Sequence, residues 1–217
     1  MKKTMYRSLA LALLALSGGA LAAETAELTP RVTLSVPMCA LNLGNDAAAN
    51  LGAVSWNDLS ITDLNPLPAV DVPLKVTCAL PQAFMIRMTN SNPNVPEGAA
   101  AAALPGTADT DAFGMPEGFN GPMGGYVVEL RDGKADNVAV NFMTALSVDG
   151  SSSPGTQVKV LGPGKYVAAQ GANGVPPTIS ELSATMRVRG VLAPRYRLDP
   201  RLVKYVDTRS VITVTLM

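Results

Sequence analysis

The chain has 217 residues, with 17 basic and 17 acidic side chains, two cysteines and no histidine. A net charge of zero argues against a nucleic-acid binder, which carries a basic excess. The lack of histidine leaves a cysteine or serine nucleophile without its usual activator.

The chain opens on "MKKTMYRSLALALLALSGGALA", with Lys2, Lys3 and Arg7 ahead of an apolar run that ends at Ala20-Leu21-Ala22. A basic start, a short apolar stretch and a small-x-small site describe a secretory signal peptide over residues 1–22. The run is short of the roughly 20 apolar residues that a spanning helix needs, and Gly18 and Gly19 interrupt it. Cleavage after Ala22 leaves residues 23–217, a length that suits one large all-β domain. Without Lys2, Lys3 and Arg7 the remainder has 14 basic and 17 acidic residues, a net charge of −3. Basic residues gather at the end: residues 181–217 hold 7 basic and 3 acidic side chains. They read as strand faces turned to solvent or a partner.

The elements that follow are strands. In "RVTLSVPMC" the residues Val32, Leu34, Val36 and Met38 alternate with polar neighbours, and Cys39 falls out of step, so a bulge or end is expected near Pro37. "SWNDLSITDLN" (55–65) is a short helical candidate. "DVPLKVTC" places Val72, Leu74, Val76 and Cys78 on one face, and "AFMIRMT" turns Phe84, Ile86 and Met88 inward and Met85, Arg87 and Thr89 outward. Residues 91–125, rich in Ala, Gly, Pro and Met, are too long for an ordinary connection, which predicts a functional surface or partial disorder. The five-alanine run inside them is bounded by Pro96 and Pro105. "GYVVELRDG" aligns Tyr126, Val128 and Leu130 and ends on "RDG", which reads as a turn. "NVAVNFM" aligns Val138, Val140 and Phe142, and "VDGSSSPGT" (148–156) is a second loop. "LSATMRVRG" aligns Leu182, Ala184, Met186 and Val188 and leaves Arg187 and Arg189 outside. "DPRLVKY" is a second short helical candidate, and "SVITVTLM" is a strand with Ile212, Val214 and Leu216 on one face. Short strands separated by Gly, Pro, Asn and Asp predict a β-sandwich or barrel.

Chemical motifs are absent. Neither "GPMGG" (121–125) nor "LGPGK" (161–165) sits between a strand and a helix as a phosphate cradle requires. Asp109 and Asp111 lack a third oxygen ligand at loop spacing and read as a solvated loop. Trp56 suits a core position better than a sugar-stacking one. No catalytic, cofactor or metal site is expected. Cys39 and Cys78, an even pair in an exported chain, predict a disulfide.

A cysteine closing the first strand, a second about 40 residues on, and a final alternating strand together resemble the fimbrial subunits of the chaperone–usher class. "RVTLSVPMC" looks like that family's opening strand, "LGAVSWNDL" like its Leu/Phe-Gly pair leading into a helical turn, and "PLKVTC" like the strand with the second cysteine. "GGYVVELRDGKADNVAVN", an L-x-A-x-M-x-V strand and "VDTRSVITVTL" resemble a β-fimbrial branch in particular, and the similarity spans residues 31–217.

The resemblance implies an immunoglobulin-like, pilin-type sandwich that lacks one strand and is open to strand donation. A periplasmic chaperone, an outer-membrane usher and other fimbrial subunits would be its partners, with no nucleic acid. Its route would run through the periplasm to a fimbrium at the cell surface. Ile212, Val214 and Leu216 would line the groove for the partner strand. Two positions depart from the pattern. Leu216 stands where the family commonly carries an aromatic, and "AETAELTP" holds one large apolar residue, Leu28, where a donor strand needs several. The chain is thus read as able to receive a strand and poorly able to give one, which suits a tip or terminal position. The alternative is a stand-alone secreted, lectin-like sandwich using the 91–125 loop.

Overall fold

The computed structural model describes residues 38–145, 154–199 and 208–217. Their strands are, in chain order, β1 (Cys39–Leu43), β2 (Asn65–Pro66), β3 (Val70–Gln82), β4 (Phe84–Asn90), β5 (Phe113–Gly114), β6 (Glu117–Gly118) and β7 (Gly121–Pro122). Then come β8 (Gly124–Ala135), β9 (Val138–Ala139), β10 (Phe142–Ala145), β11 (Lys159–Val160), β12 (Tyr166–Ala169), β13 (Ile179–Leu192) and β14 (Ser210–Leu216). The α-helix among the described residues is α1 (Ala99–Ala103). The protein is an all-β sandwich, as the strand pattern predicts. One sheet runs β1-β3-β13-β8-β11, with β2 on β13 and β5 and β9 on β8, and the other runs β10-β12-β4-β14. All these pairings are antiparallel.

Alternation builds the first sheet. Val72, Leu74, Val76 and Cys78 on β3 and Leu182, Ala184, Met186 and Val188 on β13 are buried in one core with Tyr126, Val128 and Leu130 on β8. Ala83 alone separates β3 from β4, so the chain steps from one sheet to the other at a single residue. Phe84, Ile86 and Met88 of β4 then close the same core from the opposite side. On the solvent face of β13, Arg187 makes a two-pronged bond to the Asp71 carboxylate at 2.7 Å for each nitrogen, and Arg189 Nε donates to Glu129 at 2.8 Å. These are the outward arginines of "MRVRG". Cross-strand pairs of opposite charge favour the register in which they meet.

Several expectations change on contact with the packing. "RDG" is not a turn: β8 runs through it as a bulge, with Asp132 at φ 55°, between the pairs Ser183–Lys134 and Thr185–Arg131. The chain reverses directly after the last paired residue of β8, Ala135, at Asp136-Asn137, whose φ values of 46° and 68° make a two-residue turn of the primed type. Asp136 accepts hydrogen bonds from the Ser180 and Glu181 N–H groups, which holds that turn against β13. Val138 does not align with Val140 and Phe142 in the core. It is 67% exposed, because β9 stays with β8 while Phe142 has crossed to the second sheet. Met85 is not outward in water but fully buried with Met143 and Ala168, an apolar cluster on the far face of the second sheet.

The 91–125 stretch is neither an open loop nor disordered. Its alanine run forms α1, and Ala100, Ala112, Val95 and Leu104 pack on Val127, on the outward face of β8. Phe113 and Met115 from the same stretch enter the main core. "SWNDL" contains one 3-10 turn, Trp56–Asp58. The signal peptide, residues 31–37 of the first strand, most of the 148–156 loop and residues 200–205 of "DPRLVKY" lie outside the described residues.

Candidate functional site

The two sheets share a flank where neither finishes. β10 lies beside β8 and β11, so the β10 end of the second sheet faces the β8–β11 end of the first. The opposite ends, β14 and β1, therefore lie on one flank. Among the described residues β14 pairs with β4 and with no other strand, and β1 likewise with β3. The outer edge of each thus presents backbone donors and acceptors that need a partner or water.

Burial follows the same division. Ile212, Val214 and Leu216 stand opposite Met88, Ile86 and Phe84 in the β14–β4 register. Those β4 partners are 7%, 1% and 4% exposed, whereas the three β14 side chains are half-buried against the core. Leu41 and Leu43 on β1 are also half-buried against it. Among the described residues no strand seals this apolar set along the flank. All three groove residues expected from the sequence lie here. Leu41 and Leu43 were missed because the out-of-step reading of Cys39 hid the alternation in "CALNL", which puts Cys39, Leu41 and Leu43 together.

Local bonds hold both edge strands rigid. Cys39 and Cys78 form the expected disulfide and stand directly opposite each other in the β1–β3 register. That cross-link pins β1 to the sheet by its first residue. β14 is tied at both ends. Ser210 Oγ shares a hydrogen bond with Tyr126 Oη, and Asn90 Nδ2 donates to the same phenol at 3.3 Å. Burial pushes the Tyr126 phenol above its ordinary pKa, so it stays neutral through the physiological range. At the other end the Met217 N–H donates to Ala83 O at 3.1 Å. Fixed edges of this kind cost a partner strand little reorganisation.

The remaining sequence candidates are structural. Asp109 accepts from the Gly98 and Ala100 N–H groups, capping α1, and Asp111 pairs with Lys165. Trp56 is half-buried against Leu59, Ala193 and Leu198, with Arg195 over its ring. "GPMGG" enters β7 and β8, and "LGPGK" closes a turn through Lys165 N–H to Gly162 O. Among the described residues no three His, Cys, Asp or Glu side chains are grouped to hold a metal. A shallow cleft of about 450 Å³ lies beside the bulge, lined by Asp132, Lys134, Asn141 and Gln157 among others. No family model matches the chain, and no curated protein matches it.

Proposed function

We propose that the chain is a subunit of a surface fimbria assembled by the chaperone–usher route, in which β14 receives a strand from another chain. One observation carries this reading: among the described residues β14 and β1 are unpaired at their outer edges on the same flank, and the apolar side chains they turn inward are only half-buried. An incoming strand satisfies both defects together. Its backbone pairs with β14, and its alternate side chains complete the core between Ile212, Val214, Leu216 and Leu41, Leu43. The export signal and disulfide read from the sequence fit passage through an oxidising periplasm, where a chaperone and then a neighbouring subunit would fill the position.

In the 91–125 stretch, on which a lectin-like module would depend, Val95, Ala100, Leu104 and Ala112 pack on Val127 of β8, and Phe113 and Met115 enter the main core. That favours the subunit reading over the stand-alone one. The test is expression in the periplasm with and without the chaperone encoded beside it. The expected result is a low yield of the chain alone, most of it lost to degradation or aggregation, and recovery of a one-to-one complex with the chaperone. A soluble, cooperatively unfolding monomer that binds no chaperone contradicts the proposal.

A further inference from the structure

The inward row of β14 continues past its apolar part. Strand alternation puts Ser210 on the same face as Ile212, Val214 and Leu216, and all four are half-buried. Opposite them on β4 stand Asn90, Met88, Ile86 and Phe84, so the pair Ser210–Asn90 ends a run of apolar pairs with a polar one.

That polar end is built from several elements. Tyr126 is 5% exposed and stacks on Phe113 with ring centroids 5.3 Å apart, and its phenol meets both Asn90 and Ser210. Asn90 Nδ2 donates to Tyr126 Oη at 3.3 Å and to Gly114 O at 2.7 Å, which uses both amide hydrogens. Asn90 Oδ1 accepts from the Asn92 N–H at 2.7 Å. Ser210 Oγ shares a bond with Tyr126 Oη, its one hydrogen bond among the described residues. A hydroxyl has one donor and two acceptor positions. Of Asn90, Tyr126 and Ser210, only Ser210 stands on the edge strand.

In the free chain water reaches the half-buried Ser210 hydroxyl, and a strand laid along β14 takes that water away. An apolar side chain facing Ser210 leaves the rest of the hydroxyl's capacity unmet, and a charged one is enclosed among neutral groups; both are costly. Resting on the strand-donation reading, we infer that the partner strand carries a serine, threonine or asparagine at the position facing Ser210 and apolar side chains facing Ile212, Val214 and Leu216. Ser210 thereby selects the partner and fixes its register. A slide by two residues puts an apolar side chain on Ser210 and the hydroxyl or amide on Ile212.

The full chain, recovered from the periplasm with the chaperone encoded beside it, is offered synthetic strands in both chain directions. Each carries valine at the positions facing Ile212, Val214 and Leu216, and either threonine or its isostere valine facing Ser210. In competition the threonine strand should be captured about threefold to tenfold better, the worth of one hydrogen bond. Threonine moved to the position facing Val214 should weaken capture. Ser210→Ala should capture the two strands equally, and Ser210→Thr should keep the preference. Equal capture of both strands by the wild type overturns the inference and leaves strand donation standing, as does a preference that Ser210→Ala retains. Loss of both strands by Ser210→Ala also overturns it, since a selecting hydroxyl is not needed to hold the apolar positions. No capture of any strand, or dimerisation of the chain in its place, overturns strand donation and this inference with it.

Discussion

Val214 is the residue on which the edge reading turns most sharply. Its side chain is half-buried at the open flank, opposite Ile86, which is 1% exposed. In the free chain a Val214→Asp carboxylate still reaches water, so the cost there is modest, about 1–3 kcal/mol. Once a partner strand covers the flank the same carboxylate is enclosed, and the cost rises to roughly 3–5 kcal/mol. Val214→Asp should therefore abolish partner capture in a pull-down while the free chain still gives a β-type spectrum. Thr213→Asp, exposed on the other face of β14, should leave capture nearly unchanged. At Asp71 a different residue-scale effect applies. The two-pronged bond from Arg187 holds its carboxyl below the ordinary aspartate pKa. A lowered folded-state value contributes stability above the unfolded pKa and loses it as pH falls through the folded one. Acid unfolding of Asp71→Asn should accordingly show a shallower loss of Tm below about pH 4 than the wild type. Equal slopes would mean that the pair contributes nothing to folding.

The elements differ in how far the sequence alone announces them. Val72 to Cys78 and Leu182 to Val188 alternate strictly because each strand has one buried and one solvated face, and both were readable. β8 was readable only on its inner face. Its outer face is apolar at Val127 because α1 and Leu104 cover it, a tertiary contact that no local period encodes. The bulge at Asp132-Gly133 escaped for a related reason. "RDG" has turn chemistry, but Gly133 is needed here because a side chain would collide: a Cβ built on it would lie 2.5 Å from the Phe142 ring. Gly133→Ala should cost about 1–3 kcal/mol by overpacking a ring that is fully buried. Chemical denaturation showing no change in midpoint would place the Phe142 ring elsewhere. The disulfide was legible from compartment logic. Its partner strand was legible only in part, since Leu41 and Leu43 sit in five residues too short to stand out. Cys78→Ser should remove about 3–4 kcal/mol by freeing a loop of 39 residues in the unfolded chain. Reducing and non-reducing unfolding of the wild type should differ by the same amount.

At the scale of the whole molecule the sandwich is asymmetric. The flank at β10 is closed by β8 and β11, the outer face of β8 is roofed by α1, and the solvent face of β13 is laced with ion pairs. Among the described residues the flank at β14 has none of these protections. A stable monomer normally blunts such an edge with charges, a proline or a covering loop, yet "SVITVTL" carries no charge and no proline. The most direct test of strand donation is residue-resolved hydrogen–deuterium exchange over Ser210–Leu216, in the free chain and after partner capture. Strand donation predicts two classes of amide in the free chain: those bonded to β4 exchange slowly, and those on the outer edge exchange fast. After capture both classes should become slow. Outer-edge amides that stay fast in the complex, or that are already as slow as the inner ones in the free chain, would contradict it.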